Sequence, residues 1–289
     1  MKRIAIYSAI VGNYDEIIQP LYIDDRFDYI LFSNDISEKQ VGVWKIQSIP
    51  YTNPTQTKIA RWVKTHPEEL LPDYVCSIWI DANLQISSSY IYSKTIDLFY
   101  SGALISSMKH PVRDCVYDEA TEILALGLDH EQTIVKWIHR LKKESFPSHF
   151  GLFETGILFR THKNQLIKQF DGIWWNCILT NSKRDQLSFT YALNKTGLRC
   201  TYILPEEENI RHSTHFNYIS HDKPSKIIPP NKKDDTLFYF FNRKHQGEHD
   251  TAQRPVFLYR KIATAHSPQL IFFLFCLYYR ATYYLKIKK

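Results

Sequence analysis

The sequence predicts a mostly parallel, three-layer α/β sheet. Short apolar runs alternate along the chain with segments of helical periodicity, the order that βαβ units produce. The run Tyr74–Ile80 is apolar almost throughout, as in a central strand covered on both faces. Composition agrees: of 289 residues, 44% are apolar and 23% charged, with only 9 Gly, which excludes a disordered or collagenous chain.

Lys2–Ile10 reads as a first strand, followed by the loop Val11-Gly12-Asn13-Tyr14-Asp15. Asp28–Phe32 is a second strand ending in Ser33-Asn34-Asp35, and Trp44–Ile49 a third, stopped by Pro50. Pro54–Thr65 is a helix with Ile59, Trp62 and Val63 on one face and Lys58 and Arg61, at i and i+3, on the other. Tyr74–Ile80 follows as the central strand, then Ala103–Ser107 as another. Val116–Leu126 and Glu131–Lys143 are amphipathic helices, the first with Asp114 as its cap. Gly156–Arg160 is a short strand after a charged turn; Lys163–Leu179 and Arg184–Asn194 are helices, and Cys200–Leu204 a late strand.

This organisation gives a sheet domain over residues 1–210, an irregular extension over 211–267 and an apolar, aromatic segment over 268–289. Leu270–Tyr279 is unbroken apolar for ten residues, about half of the ~20 that span a bilayer. Arg280 interrupts it and Lys286, Lys288 and Lys289 close it, as in an amphipathic helix lying in a membrane interface. Packing of that helix on the domain or on another subunit is the alternative. The net charge of +6 belongs to this end: residues 241–289 carry nine Lys/Arg and two Asp/Glu, leaving residues 1–240 at −1. The body therefore has no nucleic-acid signature. Five scattered cysteines without CxxC spacing argue against a disulfide framework and a zinc site. Met1-Lys2-Arg3 runs directly into a strand-like segment with no secretory leader. The expectation is a reduced, cytoplasmic protein at the inner face of a membrane.

Chemistry concentrates where strands end. In open α/β sheets, ligands bind beyond the carboxyl ends of the strands. Val11–Asp15, Ser33–Asp35 and Asp81-Ala82-Asn83 all follow strands at that edge. The last ends the buried run Ile78-Trp79-Ile80 with a carboxylate and an amide, oxygen ligands suited to Mg²⁺ or Mn²⁺. A strand-end turn explains the same triplet without a ligand. Lys58 with Arg61 suits a diphosphate, or a solvated helix face. His110 and Arg113, with Glu119 to orient them, suit an anionic sugar or phosphate. Glu154-Thr155-Gly156 places a carboxylate beside a small turn, and Arg184-Asp185-Gln186 opens a helix, where Asp185 also serves as an N-terminal charge. His212 or His215, three residues apart, is a candidate to complete a metal shell. There is no GxGxxG, GxSxG, Walker A or HExxH motif.

Together, Tyr7–Asp15, Lys58-x-x-Arg61, Trp79–Asn83, Lys109-His110-x-x-Arg113-Asp114-Cys115-x-Tyr117-x-Glu119, Glu154-Thr155-Gly156 and Arg184-Asp185-Gln186 resemble a known family. It is the glycosyltransferase-like domain of bacterial polysaccharide clusters and plant Golgi proteins, and the motif order parallels glycosyltransferase family 8. The resemblance, over about residues 3–205, implies a GT-A, Rossmann-like sheet sandwiched by helices, a nucleotide-sugar donor and Mn²⁺ or Mg²⁺. It implies that Val11, Gly12, Asn13, Tyr14, Asp15 and Asp35 meet the nucleotide, and Lys58 and Arg61 the base or diphosphate side. Asp81, Asn83 and His212 would stand at the metal. Glu154, Arg184 and Asp185 would stand at the reacting sugar, and His110, Arg113, Glu119, Thr155, Gly156 and Gln186 around sugar and acceptor. Three departures stand out: Asn83 replaces a second carboxylate, Glu154-Thr155-Gly156 replaces Asn-x-Gly, and the late His-x-x-Gly-x-x-Lys motif is absent. The activity implied is sugar transfer from a nucleotide sugar to a surface polysaccharide or lipid-linked glycan. A nucleotidyl or sugar-phosphate transferase and a non-catalytic glycan-binding or scaffold protein are the alternatives. Oligomeric state is not legible.

Overall fold

A computed structural model describes residues 3–219, which form two compact units. One comprises residues 3–112 and 152–219; the other is Arg113–Gly151. The expected extension beyond residue 219 and the apolar segment 268–289 lie outside the described residues.

The larger unit is built on an eight-stranded sheet. Its strands are β1 (Ile4–Ala9), β2 (Phe27–Phe32), β3 (Gln40–Val41), β4 (Trp44–Gln47), β5 (Cys76–Ile80), β7 (Ile105–Lys109), β8 (Phe153–Thr161) and β9 (Cys200–Tyr202). Their spatial order is β3-β4-β2-β1-β5-β8-β7-β9. β1, β2, β4, β5, β7 and β9 run one way; β3 and β8 run against their neighbours. β6 (Leu84–Ile86) and β10 (Phe216–Tyr218) form a separate antiparallel pair.

Residues alternate along β1 between the two faces of the sheet, because side chains of a strand point to opposite sides in turn. Ala5, Tyr7 and Ala9 enter one core with α1 (Gln56–Thr65), α6 (Gln165–Thr180) and α7 (Gln186–Thr196). Ile4 and Ile6 enter the other with α3 (Tyr90–Tyr100) and Phe216. This is the predicted three-layer arrangement. The four-residue α2 (Pro67–Leu70) links α1 to β5.

Local signals set the helix ends. Asn164 accepts from the backbone N–H of Leu166 and Ile167 at 2.9 and 3.3 Å and starts α6. Gly197, at φ +68°, ends α7 in the left-handed conformation that a glycine adopts without strain.

Two expectations change, and one helix was not foreseen. The segment Glu154-Thr155-Gly156 is not a turn before a short strand: it lies inside β8, buried throughout. Its apolar neighbours reach both flanking strands, and the register of β7 against β8 slips between Ser107 and Met108. That bulge has a consequence. Phe153 and Leu158, of opposite parity, enter the same core. The region after residue 210 is also not wholly irregular: β10 pairs with β6, and the Ile219 N–H donates to the Asn83 carbonyl at 3.0 Å. Finally, α3 occupies a stretch whose serines and tyrosines obscure a helical stripe of Ile91, Tyr92, Thr95 and Leu98.

The second unit is a pair of helices, α4 (Val116–Ala125) and α5 (Glu131–Lys143). Its start differs from expectation. Cys115, not Asp114, stands at the N-cap, and the Asp114 carboxylate pairs with His149 at 2.7 Å. None of the helices among the described residues is long and apolar enough to cross a membrane.

His162, at the β8 end, is buried with its Nε2 2.8 Å from the Ser77 hydroxyl. Burial, assisted by the Arg160 charge, pushes its pKa down to about 4. Between about pH 6.5 and 4 the unfolded chain takes up a proton that the folded chain refuses. Stability is therefore full above about pH 6.5 and falls as the pH drops, by up to about 3 kcal/mol from this group. Urea unfolding at pH 7 and at pH 4.5 measures the loss, and the His162→Gln variant should show a shallower slope over that interval.

Candidate active site

The carboxyl end of β5, the helix α1 and the start of α7 bring charged side chains to one place. Asp81 follows Ile80 directly, and its backbone N–H donates to the Gly156 carbonyl at 2.8 Å across the β5–β8 pair. The Trp79 indole N–H donates to Asp81 Oδ1 at 2.6 Å. α1 supplies two cations. Arg61 lies 4.0 Å from Asp81 and 3.4 Å from Asp185. Lys64, with 0% side-chain exposure, holds Asp185 Oδ2 at 2.7 Å, Thr155 Oγ1 at 3.2 Å and Asp81 Oδ1 at 3.5 Å.

Lys64 was not among the residues expected here, and Lys58 was. The Lys58 ammonium donates instead to the Leu179 carbonyl at 2.7 Å, tying α1 to α6. Residues 58, 61 and 64 continue one i, i+3 row, but only the last two reach the strand end. The signal in the sequence was a lysine inside the apolar end of an amphipathic helix, between Trp62-Val63 and Thr65. A cation there is buried or the helix does not pack.

Asp185 is where the sequence allowed two readings. It occupies the N-cap position of α7 yet makes no capping bond. Its carboxylate accepts from Lys64 and, at 2.9 Å, from the Thr155 hydroxyl, and its backbone carbonyl accepts from Trp174 Nε1 at 2.9 Å. Burial alone would raise its pKa. The charges of Arg61 and Lys64, with the hydrogen bonds from Lys64 and Thr155, reverse that and hold it well below the usual carboxylate range. Burial also pushes the Lys64 ammonium down, with Asp185 and Asp81 opposing. Each group therefore depends on the other for its charge.

Gly156 makes room. A Cβ at this position would stand 3.3 Å from Asp81 Oδ2, 3.5 Å from Leu84 Cδ1 and 3.6 Å from Ile210 Cγ2. Glu154, on the opposite face of β8 from Thr155, is buried and receives Arg211 Nη1 and the Ile210 N–H, each at 3.4 Å. Arg211 also lies over the Tyr218 ring, 5.3 Å from its centroid. The segment 209–219 therefore borders Glu154, Gly156 and Asn83.

The other expected residues divide. Gly12, at φ +72° with Asn13 at +48°, forms the tight turn after β1, and its N–H donates to Asp35 Oδ2 at 2.5 Å. Asp35 therefore shapes the Val11–Asp15 loop. Tyr14 is exposed; partial burial first, then the Asp15 charge and the Tyr218 phenol, raise the pKa of its hydroxyl, with the Arg184 charge opposing. Gln186 opens α7, half-buried. His110 is buried in the larger unit, its Nδ1 accepting from the Val112 N–H at 3.3 Å. Arg113 and Glu119 belong to the second unit, where they pair at 2.7 Å, with Glu122 3.6 Å from the same guanidinium. His215 stacks on Tyr90 and meets Ser88 and Glu208. His212 is exposed.

A divalent metal would take few of its ligands from the protein here. No group of three His, Cys, Asp or Glu suited to a metal is present among the described residues. Asp81, with the space that Gly156 leaves beside Oδ2, and the Asn83 amide would give one carboxylate and one neutral oxygen. Asn83 is held by its amide N–H to the Ile219 carbonyl at 3.2 Å. Mg²⁺ and Mn²⁺ commonly take one or two protein ligands and complete their shell from substrate phosphates and water. The set suits a metal that arrives with its ligand, and not one caged by protein alone.

Residues 1–205 match the family described as TOD1/MUCI70, glycosyltransferase-like domain, and the chain belongs to it. No curated protein matches the chain. Among solved structures, it is similar to the apo structure of the WbbM bifunctional glycosyltransferase, with 12% identity and a TM-score of 0.43. That similarity covers 86% of this chain and 46% of the other, so the chain spans less than half of its length.

Removing one partner from a buried ion pair costs about 3–5 kcal/mol, whereas a partly exposed lysine costs about 1 kcal/mol or less. Denaturant unfolding should therefore find Asp185→Asn strongly destabilised and Lys58→Met nearly unchanged. Equal losses would remove Lys64–Asp185 from its central place.

Proposed function

We propose that this chain is a glycosyltransferase that moves a sugar from a nucleotide-sugar donor to a glycan acceptor with the help of a divalent metal. The observation that carries the reading is the convergence of Arg61 and Lys64 on Asp81 and Asp185 at the carboxyl end of β5, inside a chain of the glycosyltransferase-like family.

In this reading Asp81 and Asn83 hold the metal, which supplies charge neutralisation for the departing nucleoside diphosphate. Arg61 and Lys64 add fixed positive charge at the same oxygens as their charge develops. The side chains are preorganised, because Trp79 holds Asp81 while Thr155 and Asp185 hold Lys64. Val11–Asp15, with Tyr14 on the exposed rim, receives the nucleotide.

Asp185 and Glu154 then have different tasks. A base whose pKa lies far below the working pH is weak. Asp185 is such a group, so its role is to fix Lys64 and Arg61 beneath the donor. Glu154 faces the 209–219 segment with longer contacts, and it takes the acceptor proton if the reaction inverts the anomeric centre. A retaining reaction needs no such base. Arg184, Thr155, Gly156 and Gln186 frame the sugar. His110, Arg113 and Glu119 are assigned to acceptor recognition, and His212 to the metal edge, only by resemblance.

We assign the acceptor to the class of surface polysaccharides or lipid-linked glycans. The support is the basic, aromatic segment 268–289, which suits an enzyme working at the cytoplasmic face of a membrane. A non-catalytic glycan-binding role is the second reading. It is favoured by Asn83, whose amide carries no charge and is engaged with Ile219.

A thermal-shift screen of nucleotide sugars with and without Mn²⁺ tests the proposal. A ligand at about 100 times its Kd adds about 2.7 kcal/mol to native stability. The expected result is a rise in Tm with one nucleotide sugar and Mn²⁺ together, lost in Asp81→Ala. No response to any nucleotide, or an equal response in Asp81→Ala, would overturn it.

A further inference from the structure

Arg160 lies in β8 with 0% exposure and touches none of the groups that would meet the donor. Its guanidinium nevertheless has specific partners. Nη1 donates to Asp171 Oδ1 on α6 at 2.6 Å. Nη2 donates to the Tyr7 hydroxyl on β1 and to the backbone carbonyl of Lys64 on α1. The Tyr7 hydroxyl donates to the same carbonyl at 3.1 Å.

The Lys64 carbonyl belongs to the last turn of α1, whose oxygens have no partner within the helix. A guanidinium there satisfies the oxygen and complements the negative end of the helix dipole. The residue whose backbone is anchored this way is the one whose ammonium holds Asp185, Thr155 and Asp81. Lysine is a compact charge on a flexible four-carbon stem, so its location depends on where its backbone is held. α6 supports both ends of the arrangement: Asp171 holds Arg160, and Trp174, one turn later, holds the Asp185 carbonyl.

Stability alone does not account for Arg160. A buried ion pair is often no better than apolar residues of equal volume. Arg160 Nε has no hydrogen-bond partner among the described residues, a further cost.

We propose that Arg160 is a positioning residue: by fixing the Lys64 carbonyl it sets the place of the Lys64 ammonium between Asp81 and Asp185, where the donor diphosphate is met. The last clause rests on the function proposed above; the placement of Lys64 does not. Arg160→Lys keeps the charge but cannot serve Asp171, Tyr7 and the Lys64 carbonyl together. Tyr7→Phe removes one of the two bonds to that carbonyl with little change in volume, and serves if Arg160→Lys does not fold.

The test is acylation of lysines in the folded protein, read residue by residue by mass spectrometry, with thiol alkylation of Cys177 in parallel. Cys177 is buried on α6 and reports general loosening of this face. The expected result is a rise in Lys64 acylation of about tenfold, the effect of losing one hydrogen bond to a charged group, with Cys177 unchanged. A smaller rise is expected in Tyr7→Phe. Unchanged Lys64, or Lys64 and Cys177 rising together, would overturn the positioning role. In a second arm, inorganic pyrophosphate with Mn²⁺ should slow Lys64 acylation in the unaltered protein and do so less in Arg160→Lys. No protection in the unaltered protein would overturn the diphosphate reading, while a selective rise in the first arm would leave the positioning role standing.

Discussion

The contact between the Lys64 ammonium and the Asp185 carboxylate governs the rest of the site. Both groups are buried, and neither is tolerable alone. Their pairing fixes the last turn of α1 against the start of α7 and brings Thr155 of β8 between them. Asp81 at the end of β5 then meets two cations whose positions are already set. Asp185 is held ionised by this surrounding, which is why it supports the cations better than it would accept a proton.

Aromatic side chains of the core pack against that pair. Tyr7 and Trp79 pack edge-to-face beneath it at 5.2 Å, and the Lys64 ammonium lies 5.4 Å from the Trp79 ring centre. Alternation along β8 sets the outer geometry: Thr155 faces Lys64 and Asp185 while Glu154 turns to the segment around Ile210 and Arg211. The two carboxylates suggested by the sequence for acceptor and sugar therefore do not share one environment. One is locked in an ion pair, and the other borders a segment that follows the last strand of the sheet.

Much of the fold was legible because its cues are local. Apolar runs marked β1, β2, β5 and β7, and helical spacing marked α1, α4, α5, α6 and α7. What escaped was decided by pairing. β8 runs against both neighbours and begins at Phe153, which no local pattern distinguishes from a turn before Gly156. β10 is three residues long and is a strand only because β6 lies beside it. Within the site, Asp81 and Asp185 were legible as carboxylates at element ends. Lys64 was overlooked beside the Lys58 and Arg61 pair, although its place between Trp62-Val63 and Thr65 marked it as buried. Lys58, the more visible cation, turned out to serve the α1–α6 contact. Asp114 looked like a cap because of its place before a helix, but its carboxylate found His149.

The central claim is that the Arg61–Lys64–Asp81–Asp185 cluster is the place where a nucleotide sugar is held and its diphosphate departs. A crystal structure of the protein with Mn²⁺ and the nucleoside diphosphate of the donor that stabilises it tests this directly. The account predicts phosphate oxygens within hydrogen-bond distance of Arg61 and Lys64, with the metal between them and Asp81. A diphosphate bound elsewhere, with Lys64 and Asp81 keeping their present partners, would contradict it.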